Sequence, residues 1–318
     1  MSTAFIFPGQ GSQAVGMGKA LAETFPAARA VFEEVDAALG EALSDLAWNG
    51  PLDALTLTAN AQPALMAASL AAVRVLEQEA GLVLARDAAF VAGHSLGEYS
   101  ALAAVGSFSI ADAARLLRLR GAAMQAAVPV GEGAMAAILG LDYEKVAALA
   151  QEASAGEACD VANDNAPGQV VVSGAAGAVR RAVEIAKREG AMRAILLPVS
   201  APFHCRMIGA AAEAMQAALA QVNLAAPAVP LVANVTAAPV TAPDAIRDLL
   251  VRQVTGTVRW RESVAFMARA GVSRMVEVGS GKVLGGLVKR IAREVTTVHV
   301  GGPADIAAFV ALARAPAA

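Results

Sequence analysis

Gly93-His94-Ser95-Leu96-Gly97 fits the pattern G-x-S-x-G, with an apolar run, Ala88–Ala92, entering it and a helical one leaving it. A serine in that setting sits on a sharp strand-to-helix turn. The flanking glycines remove side chains that would clash there, and the helix start directs N–H groups and positive partial charge at an oxyanion forming beside the serine. Ser95 is therefore the candidate nucleophile. Its base should be a histidine within hydrogen-bond reach, and the chain has 3. His94 lies inside the turn, where the geometry points it away from Ser95, and His299 ends a β-type run, TTVHV. Elimination leaves His204, in the loop Val199-Ser200-Ala201-Pro202-Phe203-His204 that leaves a strand, where α/β sites gather. No acid partner stands out for it. A backbone or side-chain carbonyl is the alternative support for the ring.

A third residue is out of place by charge. On a helix from Ile110, at about 100° per residue, Ala113, Leu116, Leu117 and Met124 form an apolar stripe. Arg120 falls in the middle of that stripe, while Arg118 points to the opposite side and Arg115 to a flank. An inward guanidinium costs several kcal/mol unless it meets an anion. Either it makes an internal salt bridge, or it is a fork that takes a substrate carboxylate in bidentate fashion.

Gly9-Gln10-Gly11-Ser12-Gln13-Ala14 follows a strand and fits the dinucleotide fingerprint G-x-G-x-x-G/A. That fingerprint needs an acid ending a second strand about 20 residues on. Glu33 and Glu34 sit near that distance but within VFEEVDAAL, which reads as helix. A second oxyanion donor beside the serine is the better use for this loop.

The elements that must position these residues alternate short β-type runs with longer helical ones, the signature of an α/β fold with a mainly parallel sheet. Ala4–Phe7 reads as a buried strand, Met17–Leu39 as a helix, and Pro63–Glu79 as a helix with Pro63 at its first position. Residues 130–198 have their own order. Strands at Ala134–Leu139, Asp160–Ala162, Gln169–Ser173 and Arg193–Pro198 and helices at Tyr143–Ser154 and Ala175–Arg188 give βαββαβ, a ferredoxin-like pattern. This predicts a small subdomain at 130–198 inserted in a large one formed by 1–129 and 199–318. Helices Met207–Val222, Pro243–Val254 and Arg261–Ala270, strands Pro230–Asn234 and Arg274–Val278, and two terminal helices complete the large one. The Ala/Pro-rich last residues are expected to fray.

Composition narrows the function classes. With 318 residues, 57% of them hydrophobic, the chain can bury a substantial core; with 4% aromatic it offers no stacking platform. A net charge of −3 with mixed signs leaves no footprint for nucleic acid, and no basic run suggests a membrane surface. The uncharged stretch Met215–Pro243 is broken by Pro227, Pro230 and Pro239 and is not a bilayer helix. The N-terminus lacks a basic n-region and reaches Pro8-Gly9 after a short β-prone run, unlike a signal peptide. Cys159 and Cys205 cannot build a disulfide framework. A cytoplasmic protein is expected.

In order along the chain stand FPGQGSQ at 7–13, QPAL at 62–65, GHSLGEYSAL at 93–102, RLRG at 118–121, NAPGQVVVSG at 165–174, SAPFHC at 200–205, VRQVTGTVRW at 251–260 and EVGSGKVLGGLVKRI at 277–291. Together they resemble the malonyl-CoA:acyl carrier protein transacylase family. The resemblance implies an α/β-hydrolase-like large subdomain with a ferredoxin-like small one. It implies ping-pong transfer of malonyl from coenzyme A to acyl carrier protein through Ser95, with His204 as base and Arg120 holding the malonyl carboxylate. Gln10 and Leu96 match the oxyanion-hole N–H donors, and Gln253 matches the residue whose backbone carbonyl orients the histidine. Asn165 matches a segment lining the coenzyme A entrance. Phe203 and Met124 are assigned to the acyl pocket, where a bulky ring resembles relatives that exclude a 2-methyl branch. No metal or redox cofactor is implied, since malonyl-CoA is a substrate and phosphopantetheine belongs to the carrier, and a monomer is expected. Arg206 and Asp164 depart from the pattern, as charges that would alter carrier or coenzyme contacts. The same motifs also serve stand-alone acyltransferases of polyketide assembly and malonate-decarboxylase subunits. Ser95 and His204 alone would also suit a serine thioesterase, and a non-catalytic carrier-docking protein is the rival outside enzymes.

Overall fold

The computed structural model describes residues 2–199 and 201–314. Residues 315–318, within the tail expected to fray, and Ser200 of the SAPFHC segment lie outside them. The chain runs β1 (Ser2–Phe7), α1 (Lys19–Thr24), α2 (Pro26–Leu39), α3 (Leu43–Asn49), α4 (Leu52–Thr56), α5 (Thr58–Glu79), α6 (Leu84–Asp87), β2 (Phe90–Gly93), α7 (Gly97–Ala104) and α8 (Ile110–Ala126). It continues through β3 (Gly133–Leu139), α9 (Tyr143–Ser154), β4 (Cys159–Ala166), β5 (Gln169–Ala175), α10 (Ala176–Arg188) and β6 (Arg193–Leu196). A single 3₁₀ turn, Arg206–Ile208, precedes α11 (Gly209–Gln221), β7 (Leu231–Ala233), β8 (Ala238–Val240), α12 (Pro243–Thr255) and α13 (Trp260–Arg269). The last elements are β9 (Val272–Val278), α14 (Val283–Ile291), β10 (Thr296–Val300) and α15 (Pro303–Arg314).

Two sheets result. The larger has the order β10-β9-β1-β2-β7-β8, parallel throughout except for the β7–β8 hairpin. Its central strand β1 buries Ala4–Phe7 on both faces, as expected where helices cover both sides of a parallel sheet. The smaller sheet is antiparallel, β4-β5-β3-β6, with α9 and α10 supplying its apolar layer. That is the strand order of a ferredoxin-like unit, and the α/β class with a second, smaller sheet is what the alternation of periods indicated.

Several helices differ from the expected ones. Met17–Leu39 is two helices, because Phe25 is extended (φ −123°) and Pro26 restarts the chain at a first helical position. Pro63 lies inside α5, which starts at Thr58, so it removes an N–H from the helix interior instead of opening the helix. Every α5 residue from Ala61 to Val73 is buried, which makes α5 the central helix of the large layer. The close approach of α8 to it requires Gly121, where a Cβ would lie 2.5 Å from Ala59 Cα. That proximity brings Arg120 beside Gln62.

The small sheet is stitched to the large layer along β4. Thr257 Oγ1 donates to Val161 O (2.6 Å), Val258 N to Ala162 O (2.8 Å) and Asp164 N to Val258 O (2.9 Å). Asp164 is buried and takes two bonds from Arg261 Nε (3.0 and 2.9 Å), while Arg206 is paired with Asp160 (2.6 Å). Both charges that depart from the family pattern are thus spent on ion pairs within the chain. Among the described residues, no helix is long and apolar enough to cross a membrane.

Arg261→Met should reveal the weight of this seam. A fully buried pair broken from one side costs ~3–5 kcal/mol, but the Arg261 side chain is 31% exposed and solvent screens part of that. The expected loss is about 2 kcal/mol in urea unfolding, with Arg206→Met, at an exposed pair, costing less than about 1 kcal/mol. Equal losses would show that burial of Asp164 carries no energetic weight.

Candidate active site

Strand β2 ends at Gly93, at the C-terminal edge of the parallel sheet, and α7 begins at Gly97. The five residues from Gly93 to Gly97 cannot carry side chains at both ends. A Cβ on Gly93 would lie 1.9 Å from Gly97 C, and one on Gly97 would lie 2.3 Å from Phe7 O. Ser95 at the apex is held at φ +53°, left-handed and strained for a side chain. His204 is held likewise, at φ +57°. Strain at both residues fits a site that over-determines its reacting groups.

Ser95 Oγ lies 2.8 Å from His204 Nε2, and His204 Nδ1 lies 2.9 Å from Gln253 O. A carbonyl only accepts, so Nδ1 carries the ring proton and Nε2 offers its lone pair to the serine hydroxyl. No acid is needed for that tautomer. Burial first, and the Arg120 charge second, hold the imidazole's pKa well below that of a free histidine, at about 3. The ring is neutral, as a general base must be.

Arg120 is 1% exposed. Nη1 donates to Gln62 Oε1 (2.8 Å), and Nη2 donates to Gln253 Oε1 (2.8 Å) and Ser95 Oγ (3.1 Å). Its Nε has no hydrogen-bond partner, and its Cζ lies 5.8 Å from the centre of the Tyr99 ring. Among the described residues no carboxylate forms a salt bridge with it, so the internal ion pair is not what holds this charge.

The sequence reading missed Glu98 and Asn234. Asn234 accepts Ser95 N–H on Oδ1 (2.7 Å) and donates Nδ2 to Gly93 O (2.7 Å), clamping the turn from β7's neighbouring end. Glu98 accepts Asn234 N–H (2.6 Å) and a short bond from Gln253 Nε2, which also donates to Ser95 O (2.9 Å). Burial raises the Glu98 carboxyl to about 8 against these bonds and the nearby Arg120. The available signals were an acid on the otherwise uncharged helix GEYSALAA and an amide at the carboxyl end of a buried strand beside the elbow.

Ser95, His204 and Arg120 face a cavity of about 340 Å³ whose walls also include Gln10, Leu96, Met124, Asn163 and Phe203. Gln10 and Leu96 line this cavity with Ser95, one on the glycine loop after β1 and the other at the start of α7, where N–H groups have no intrahelical acceptor. Asn165 does not line the cavity. Its Oδ1 is 2.8 Å from His94 Nε2, which fixes that ring against Trp260, and Asn163 takes the place at the wall. His299 sits on β10, 3.7 Å from Asp305. Cys159 and Cys205 are both buried and free.

Residues 4–302 match the model of the acyl transferase domain. The malonyl CoA-acyl carrier protein transacylase of Escherichia coli K12 is 47% identical over 309 residues, 97% of this chain and 99% of that protein. The solved acyl-carrier-protein S-malonyltransferase of Bartonella henselae superposes with a TM-score of 0.97 at 56% identity, covering 99% of this chain and 100% of its own. A malonyl-transacylase solved in complex with its type II PKS acyl-carrier protein matches with a TM-score of 0.94 at 41% identity, over 98% of this chain and 100% of that one. With the turn, the cavity and these likenesses over nearly its full length, the chain belongs to the malonyl-CoA:acyl carrier protein transacylase family.

Proposed function

We propose that this enzyme moves malonyl from coenzyme A to the phosphopantetheine thiol of an acyl carrier protein, in the cytoplasm and in service of fatty-acid synthesis. The observation that carries the malonyl assignment is a buried guanidinium that faces the Ser95 cavity without a carboxylate partner. A malonyl thioester brings that carboxylate, and acetyl and simple fatty acyl groups do not.

In the first half-reaction His204 Nε2 takes the Ser95 proton as Oγ attacks the thioester carbonyl. The Gln10 and Leu96 N–H groups take the charge on the carbonyl oxygen, and Arg120 turns from Ser95 Oγ to the malonyl carboxylate. The carbon–sulfur bond breaks, and His204 returns the proton to the departing thiolate of coenzyme A. The carrier's thiol then gives its proton to His204 and attacks the ester, and Ser95 leaves as the hydroxyl. Every step is proton transfer and acyl transfer, so none calls on a metal or a redox cofactor. Phe203, 8% exposed in the cavity wall, narrows the space beside the acyl α-carbon and favours malonyl over a 2-methyl homologue by ~1–3 kcal/mol. The relative solved with a type II PKS carrier supports a polyketide carrier as the second reading.

Ser95→Ala should abolish malonyl labelling of the chain, whereas a scaffold would have none to lose. Incubation with malonyl-CoA, with and without carrier, should yield malonyl-carrier. Rapid free malonate with little malonyl-carrier would make the enzyme a thioesterase. Arg120→Ala should lower malonyl kcat/KM by about 10²-fold while leaving slow acetyl transfer within a few fold; equal loss on both would overturn the carboxylate fork. Transfer rates on purified fatty-acid and polyketide carriers decide between the two pathways.

The pH dependence follows from His204. The neutral ring is the base, and with its pKa lowered to about 3 it stays neutral as pH falls through the range where a free imidazole protonates. The kcat/KM profile for malonyl-CoA should therefore show no acid limb near pH 6.5 and remain level down to about pH 5. A midpoint near 6.5 would mean that the ring titrates as if exposed.

A further inference from the structure

Gln10 is exposed on a loop without regular structure, yet its backbone N–H has to hold one position to within a few tenths of an ångström for an oxyanion. Within the loop, Ser12 N reaches Gly9 O only at 3.4 Å, and Gly11 N donates to Gln13 Oε1 at 2.7 Å. Ser12 O, farther along the loop, accepts Ser280 Oγ–H at 2.7 Å, and Gln10 itself is tied to the body of the protein through its side chain, whose Oε1 accepts Thr58 Oγ1–H at 2.8 Å.

Thr58 opens α5 and is 1% exposed. Its oxygen also accepts Gln62 Nε2–H at 2.9 Å, and Gln62 Oε1 accepts Arg120 Nη1–H at 2.8 Å. The direction of this chain is set at one end. A guanidinium only donates, so Gln62 must turn its oxygen to Arg120 and its amide N–H to Thr58. Thr58 accepts there and donates its own proton to Gln10 Oε1. At position 58 only a small hydroxyl side chain can accept and donate at once.

We infer that Thr58 is a positioning residue which, through Gln62, registers the oxyanion donor at Gln10 against the carboxylate-binding guanidinium of Arg120. The assignment rests on the malonyl-transfer reading above. Thr58 touches neither the thioester nor the carboxylate. It fixes the spacing between the two protein groups that must hold opposite ends of the same acyl group, which makes recognition of the carboxylate and stabilisation of the oxyanion one rigid unit. A looser loop costs the step in which the oxyanion forms and leaves ground-state binding at Arg120 in place, so the effect belongs on kcat more than on KM.

The test is the single-turnover rate of malonyl-Ser95 formation as malonyl-CoA is raised to saturation. Thr58→Val, of nearly the same shape but without the hydroxyl, should lower the maximal rate about tenfold, the worth of one buried hydrogen bond. Half-saturation should stay within about twofold, and Thr58→Ser should restore the rate. Gln10→Met lies on an exposed loop, keeps the backbone N–H and removes the side-chain amide that accepts from Thr58. It should reproduce the loss, and the double variant should be no worse than either single one. An unchanged rate in Thr58→Val, equal impairment in Thr58→Ser, or losses that multiply in the double variant would each overturn the inference. Failure of the native enzyme to form malonyl-Ser95 would instead remove the reading on which it rests.

Discussion

A buried guanidinium with no anion beside it governs this structure. Moving such a charge out of water costs several kcal/mol even after relaxation, and here the cost is offset by neutral oxygens and an aromatic face. Gln62 and Gln253 each turn an amide oxygen to Arg120, Ser95 offers its hydroxyl, and the Tyr99 ring lies below the fork. Those partners come from α5, α12, α7 and the elbow, so burying one residue of α8 fixes how four parts of the large layer meet. Close contact of α8 with α5 at Gly121 is the packing condition that makes this possible.

The reactive serine depends on the same amides. Gln253 meets Arg120 with its side-chain oxygen, Ser95 O and Glu98 with its side-chain nitrogen, and His204 with its backbone carbonyl. Asn234 grips the turn from the next strand. A left-handed serine is strained, and these bonds hold it in the conformation that exposes Oγ. Stability and reactivity therefore share one hydrogen-bond network.

How much of this was legible in the sequence depended on the reach of each signal. Ser95 was marked by its own neighbours, His204 by the scarcity of histidines, and Arg120 by helical period, all properties of a short stretch or of composition. Glu98 and Asn234 act across 136 residues of chain, so the local signals, an acid within an otherwise uncharged helix and an amide at a strand end, did not say what each residue meets. The alternation of strand and helix sufficed for both sheets because each element buries a face of regular period. It failed for α3, α4 and α6, which have two turns or fewer, and for β8, whose three residues include Pro239. Pro63 misled because a proline ordinarily opens a helix, while here burial on all sides of α5 outweighs the missing N–H. Asn165 was assigned to the coenzyme A entrance through its segment. Residues 163 and 165 would share one face of a regular strand, but the register of β4 shifts between Val161 and Asn163 and again between Asp164 and Ala166, so that Asn163 reaches the cavity wall while Asn165 meets His94.

The absence of an acid behind His204 follows from the charge beside it. A carboxylate in place of the Gln253 side-chain amide would lie within hydrogen-bond distance of Arg120, pair with it, and compete with the substrate carboxylate of the proposed reaction. A backbone carbonyl sets the same imidazole tautomer and brings no charge. Glu98, a carboxyl in the network, is held by Asn234 N and Gln253 Nε2 and forms no salt bridge with Arg120, and burial raises it to about 8, which weakens its charge beside the guanidinium. A neutral carbonyl behind His204 thus suits the proposed role of Arg120, because it fixes the tautomer of the base without adding a charge that would compete for the guanidinium.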